Sequence, residues 1–151
     1  MLIGRESERT DLRAAMDSDK SEFIAVYGRR RIGKTYLIRE TFSYSFAFEH
    51  TGVKGADQKR QLHEFGESLR RFGRLKRRPR DWYDAFRMLR DVLDERPSSG
   101  KRVVFLDECP WMGTPRSGFL GALDLFWNGW TTTRKDIVFG KCRLDPVGDV
   151  W

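Results

Sequence analysis

Two glycines, a lysine and a threonine stand at a spacing that suits the binding of phosphate groups. Gly28 and Gly33 are separated by four residues, and Lys34 and Thr35 follow directly. Glycines let the main chain curl so that several backbone N–H groups point at one phosphate chain. A lysine ammonium then lies between the β- and γ-phosphates, and the neighbouring hydroxyl coordinates Mg²⁺. The pattern therefore predicts a loop for a nucleoside triphosphate with magnesium.

An acidic pair could supply the hydrolytic half of this chemistry. Asp107 and Glu108 follow four apolar residues, 103–106. Hydrolysis needs a carboxylate to secure the metal and a second group to orient the attacking water. We predict that Asp107 holds the magnesium shell and that Glu108 acts as a general base or positions water. Two acids in an exposed loop after a strand are the alternative.

Nucleotide binding is assigned to the whole segment 28–36, with ATP and Mg²⁺ as the expected ligands. The predicted nucleotide-binding residues are Gly28, Arg29, Arg30, Arg31, Ile32, Gly33, Lys34, Thr35 and Tyr36. The predicted catalytic residues are Glu108 and Lys34, and the metal ligands are Thr35 and Asp107. We interpret the three arginines as a solvated basic rim that raises the local nucleotide concentration, with direct phosphate contact as the alternative. The loop reads phosphates, so it leaves the base open.

Apolar runs and helical periodicity indicate the elements that position these residues. Strands are predicted at 23–27, 44–48, 103–106 and from 137 onward, and helices at 6–19, from 34, at 62–72, at 82–95 and from 117. Strands alternating with helices predict an α/β fold whose mostly parallel sheet is covered on both faces. At 151 residues the chain suits one domain.

Composition limits the location and the partners. No apolar run approaches the roughly 18 residues of a membrane-spanning helix, and the first residues lack the layout of a secretion signal. We therefore expect a cytoplasmic protein without a membrane partner. Cys109 and Cys142 fit neither a metal knuckle nor a disulfide framework, and His50 and His63 receive no catalytic or metal role.

The charge balance favours polyanionic partners. With 29 Lys and Arg against 22 Asp and Glu, the net charge is +7 and the pI about 9.7. The basic segment 70–80 could grip a nucleic-acid backbone, and Trp82 and Tyr83 could stack on bases. A solvated connector, with both aromatic residues on a helix face, is the alternative. Arg116 and Arg134 are candidates for stabilising charge at a neighbouring site.

In this order the motifs resemble those of the prokaryotic, archaeal-type ATPases related to the AAA+ and STAND branches. The resemblance covers about residues 1–139. It rests on seven short segments, which are 4–6, 23–27, 28–35, 103–108, 111–119, 127–130 and 135–138. It implies a three-layer αβα P-loop NTPase fold that binds and hydrolyses Mg-ATP through Walker A and Walker B motifs. It also implies that the P-loop strand lies between the next-to-last and the last core strands.

The last twelve residues depart from the pattern of that family. We therefore divide the chain into an ATPase core, 1–139, and an atypical C-terminal tail, 140–151, which a frameshift would explain. On this interpretation the fold is incomplete at its C-terminus, and the P-loop strand becomes an exposed edge. We then expect marginal stability, self-association or a partner protein, and slow hydrolysis. The alternative function is a nucleotide- or nucleic-acid-binding module with little or no turnover.

Overall fold

A four-stranded parallel sheet organises the chain. The computed structural model describes residues 13–27, 46–95 and 100–143. The strands are β1 (Glu22–Tyr27), β2 (Phe48–Thr51), β3 (Arg102–Asp107) and β4 (Ile137–Arg143). They are ordered β1-β4-β3-β2, and every neighbouring pair is parallel. The α/β class and the parallel sheet predicted from sequence are confirmed.

Helices connect the strands of the described part. Between β2 and β3 lie α1 (Gln58–Phe72) and α2 (Trp82–Glu95). Between β3 and β4 lie the short α3 (Cys109–Met112), α4 (Phe119–Gly129) and a 3₁₀ turn (Thr131–Thr133). The Asp57 side chain caps α1 by accepting the Arg60 N–H at 2.9 Å.

Alternate residues of each strand face two different apolar layers. Phe48, Val104, Phe139 and Phe23 stand in register across the sheet, and on this face the sheet packs against α1, α2 and α4. On the opposite face Val103, Phe105 and Val138 pack with Ala15 of the helical segment 13–17. This period of two explains why the buried strands appear in the sequence as unbroken apolar runs. Helical cover on both faces makes the sheet the middle layer.

Most predicted elements lie where the sequence indicates, but some begin at other residues. The helix expected at 62–72 begins at Gln58, where the Asp57 side chain caps it. Of the strand expected at 44–48, Phe48 is the first residue of β2, although the Ala47 N–H before it already bonds to the Val103 carbonyl at 2.9 Å, and residues 44 and 45 lie outside the described residues. The helix expected from 117 begins at Phe119, because the Ser117 hydroxyl accepts the Phe119 N–H at 3.1 Å. The predictions for 28–36 and for the helix that follows fall outside the described residues.

The position of β1 agrees with the order that the family resemblance implies. The strand pairs with β4, and it is the terminal strand of the sheet within the described residues. Helices long and apolar enough to cross a bilayer are absent from the described ranges.

Candidate functional site

The acidic pair lies at the edge of the sheet where the parallel strands end. Asp107 is the last residue of β3, and Leu106 before it is paired with Lys141. One residue further along this register, Asp107 is level with Cys142, whose partner on β1 is Val26. Two inter-strand spacings, about 9.5 Å, therefore separate Asp107 from the last residues of β1.

This edge is also where the chain leaves β1. The strand ends at Tyr27, and the phosphate-loop motif begins with the next residue, Gly28. The residues assigned to nucleotide binding, 28–36, lie outside the described residues. In open parallel sheets ligands bind beyond the carboxyl ends of the strands. The edge shared by β1 and β3 is therefore the candidate site.

Glu108 adopts an unusual backbone conformation at this edge. Its φ of 57° and ψ of 40° lie in the left-handed region, which non-glycine residues adopt at a cost of about 1–2 kcal/mol. The Glu108 N–H donates to Asp107 Oδ1 at 2.9 Å, and its carbonyl accepts the Trp111 N–H at 3.1 Å. Both acidic residues are buried. The exposed loop considered as the alternative from sequence is therefore wrong.

Gly52, which follows β2, holds this turn against the sheet. Its N–H donates to the Asp107 carbonyl at 2.9 Å, which extends the β2–β3 ladder by one bond. A Cβ at position 52 would stand 2.5 Å from the Glu108 carbonyl oxygen. Only glycine therefore allows β2 to approach the acidic turn this closely. Gly52 is not among the site residues predicted from sequence, since nothing nearby in sequence signals the contact.

Part of the basic connector between α1 and α2, residues 73–81, is bound to Asp84 of α2. Arg77 donates to both carboxylate oxygens of Asp84, at 2.5 and 2.8 Å, and the Arg80 N–H donates to the same side chain at 2.9 Å. The hydrogen bonds from Arg77 hold the pKa of the buried Asp84 well below its usual range. Of this run, Arg77 therefore anchors the connector to α2.

The two aromatic residues after the connector have different environments. Trp82 is fully buried and packs edge-on against Phe65 and Phe119, at ring-centroid distances of 5.3 and 4.9 Å. Stacking of Trp82 on nucleic-acid bases is therefore wrong, and its assignment to the buried side of the helix is confirmed. Tyr83 is 40% exposed and lies close to Gly121 of α4.

The two candidate charge-stabilising arginines lie at different ends of the sheet. Arg134 precedes β4 at the opposite edge, where it donates to Asp136 at 2.9 and 3.0 Å and is paired with Asp94. Its guanidinium also lies 4.7 Å from the Trp130 ring centroid. Arg134 is thus held in a structural network, whereas Arg116 is exposed in the loop after α3, with a φ of 63°.

Asp136 is the centre of that network. The buried Arg102 donates to Asp136 through Nη2 at 2.8 Å and Nε at 3.2 Å, and it also donates to the Leu93 carbonyl. Burial acts to raise the pKa of Asp136, but the hydrogen bonds from Arg134 and Arg102 outweigh it and lower the pKa. The network therefore ties α2 to the start of β4 and supports the sheet from the far side.

His50 is a buried, neutral residue near the end of β2. Burial, with a smaller contribution from Arg71, lowers the pKa of His50 to about 3. Its Nδ1 lies 2.7 Å from the Ser68 hydroxyl, and its ring packs edge-on against Phe65. Groups of three or more metal-binding side chains do not occur among the described residues. His50 is therefore part of the core.

Comparison with known proteins relates the chain to a sequence relative and to a solved structure. No family model matches the sequence. The chain is 31% identical over 101 residues to an uncharacterized protein of Methanocaldococcus jannaschii, MJECL04, an alignment that covers 65% of this chain and 22% of the relative. It also superposes on the Walker-type ATPase PABY2304 of Pyrococcus abyssi with a TM-score of 0.62 and 19% identity. That superposition covers 93% of this chain.

The chain has the α/β fold of a Walker-type ATPase. At 19% identity the likeness establishes the fold alone. The chain spans 22% of the length of its sequence relative and 45% of the structural neighbour. The activity of either longer protein therefore does not establish the activity of this chain.

Proposed function

We propose that this chain is a Mg-ATP-dependent ATPase domain of the P-loop class, related to the AAA+ and STAND branches. The observation that carries the proposal is the shared edge of the sheet. Asp107 and Glu108 follow β3 there, and only β4 lies between them and the end of β1, which Gly28 follows in the sequence. A phosphate loop and a carboxylate pair at this separation can act on one triphosphate.

The residues fit a magnesium nucleotide. Mg²⁺ is usually held by one or two carboxylates together with substrate phosphates and water. Asp107 offers a carboxylate at the strand end, and its Oδ1 already accepts one N–H, which fixes its orientation. In the proposal Thr35 and Asp107 hold the ion, which when bound neutralises charge on the β- and γ-phosphates. Lys34 and the amides of 28–36 bind the phosphate chain.

Glu108 is proposed to orient the attacking water and accept its proton. The left-handed backbone at Glu108 ends the alternation of the strand, so the Glu108 carboxylate is not forced to the face of the sheet opposite Asp107. Its burial would limit access of bulk water to the reaction. Adenine as the base and a cytoplasmic location belong to the same proposal.

Replacing Glu108 with glutamine tests the proposal against binding without turnover. The Glu108→Gln chain should bind ATP within about threefold of the parent, while turnover falls by about 10²-fold or more, since general base catalysis contributes this much. Lys34→Ala should weaken both binding and turnover. A parent chain that binds ATP but has no turnover to lose would favour the binding module instead.

A further inference from the structure

We propose that a basic groove between α1 and the connector that follows it binds the sugar–phosphate backbone of a nucleic acid. The groove has a volume of about 790 Å³. Lys59, Arg60 and His63 line it from the first half of α1 together with the capping residue Asp57, and Arg78 and Arg80 line it from the connector, so cationic groups outnumber the one acid. Asp107 and Glu108 are not among its lining residues, and the proposal does not depend on ATP hydrolysis.

The positive charge of the groove is only partly neutralised. Arg60 pairs with Glu64 at 3.1 Å and Arg80 reaches Asp84 at 3.5 Å, but both arginine side chains are largely exposed. The Arg60–Glu64 pair lies at the surface, and such pairs are worth about 0–1 kcal/mol, so phosphate can replace it. Asp84 is buried and accepts its two side-chain hydrogen bonds from Arg77, at 2.5 and 2.8 Å, so the longer contact with Arg80 is the weaker one. Lys59 and Arg78 have no acidic partner within the described ranges.

The connector wall of the groove is built into the fold. Pro79 is buried against α1 at Gly66, where an added Cβ would stand 3.0 Å from the proline ring. On its other side the connector is fixed by Arg77, which binds Asp84 of α2 in a bidentate pair. The backbone of residues 77–80 is therefore fixed between α1 and α2, and the exposed side chains of Arg78 and Arg80 line the groove from it, so less backbone conformational entropy is lost on binding.

The chemistry of the groove favours phosphates over bases. Asp57 accepts the Arg60 N–H in the first turn of α1, and its carboxylate there disfavours an anion at the helix end, so the side-chain cations are the main ligands offered to phosphate. Guanidinium groups bind phosphate oxygens in bidentate fashion. The groove has no phenylalanine, tyrosine or tryptophan among its described lining residues; Trp82 is fully buried, and the Tyr83 ring lies beside Gly118 and Gly121 at α4. Binding should therefore be independent of sequence and strongly dependent on salt.

Titration of a fluorescein-labelled DNA strand of about 20 nucleotides, read by anisotropy, tests this inference in the 151-residue chain. The double variant Lys59→Glu, Arg78→Glu should weaken binding at least about tenfold and reduce the salt slope by about 1.4, or 0.7 for each lost contact with a single strand. The matched control is Arg74→Glu, Lys76→Glu. It makes the same charge change in the exposed part of the connector outside the groove, and it should weaken binding less than about threefold.

A folding control and two further variants complete the DNA-binding experiment. Thermal melting checks that both double variants fold, and Lys59→Gln, Arg78→Gln gives a milder neutralisation of the same two positions. Lys34→Ala should retain DNA binding, so a failure of the ATPase proposal would leave this result intact. The inference fails if the groove and control variants lose equal DNA affinity, or if the parent chain does not bind DNA. It also fails if the parent prefers polyglutamate to both single-stranded and duplex DNA.

Discussion

Replacing Gly52 with alanine should displace the turn that carries Glu108. The new Cβ would stand 2.5 Å from the Glu108 carbonyl oxygen and 3.3 Å from side-chain atoms of both Trp111 and Met112. The closest of these is a backbone atom, which cannot swing aside like the end of a flexible side chain. Because Gly52 also bonds to the Asp107 carbonyl, the gap can open only by moving the acidic turn or by breaking that bond.

The expected cost follows from these contacts. Overpacking of this kind costs about 1–3 kcal/mol, and the strained or lost hydrogen bond adds about 1 kcal/mol. The lower chain entropy of alanine in the unfolded state offsets about 0.4–1 kcal/mol. The net loss of about 1–3.6 kcal/mol should lower Tm by roughly 2–14 °C for a chain of this size. Displacement of Glu108 should also reduce ATP turnover by about tenfold or more with little change in ATP affinity.

Thermal unfolding and steady-state turnover measure both effects. Gly100→Ala is the matched control, because a Cβ there meets no atom within 4 Å and the backbone needs no positive φ. Its Tm should stay within about 2 °C of the parent, as expected for a surface substitution without strain. If Gly52→Ala melts and turns over like Gly100→Ala, then β2 does not hold the acidic turn as argued.

Two further predictions concern stability. Because the pKa of His50 is about 3 in the fold and near 6.5 in the unfolded chain, the unfolding free energy should fall as pH drops below 6.5. Urea titrations should show a loss of about 2 kcal/mol in unfolding free energy between pH 7 and pH 5. The His50→Gln variant should lack most of this loss. An unchanged pH dependence in the variant would contradict the assignment of the loss to His50. Asp136→Asn leaves the buried Arg102 without its carboxylate and should cost about 3 kcal/mol, whereas Asp94→Asn at the exposed end of the network should cost less than about 1 kcal/mol. Equal costs for the two in the same titrations would show that Asp136 is not the centre of the network.

The spacing of apolar residues along the chain was enough to predict those strands and helices that are buried on one or both faces. The helix at 82–95 was predicted with its observed bounds, because its apolar residues recur at a helical spacing until 96–99 interrupt them. The strand around 103–106 is buried on both faces and therefore appears as an unbroken apolar run. The neighbour of β1 came from the family resemblance, since periodicity carries no information on strand order.

Contacts between distant parts of the chain could not be predicted in this way. Arg134 seemed a candidate for charge stabilisation, but its partner Asp94 lies 40 positions earlier on another helix. The contact of Gly52 with Glu108 likewise joins the ends of two strands. Both depend on how the sheet assembles, which composition and spacing do not encode.

Equilibrium binding of Mg-ATP to the 151-residue chain tests the central claim most directly, with Lys34→Ala and Asp107→Asn as paired variants. The account predicts saturable, magnesium-dependent binding by the parent. It predicts that Lys34→Ala weakens binding about tenfold or more through loss of a charge-assisted contact, and that Asp107→Asn reduces the dependence on magnesium. Equal affinity of the parent and Lys34→Ala, with or without magnesium, would contradict it.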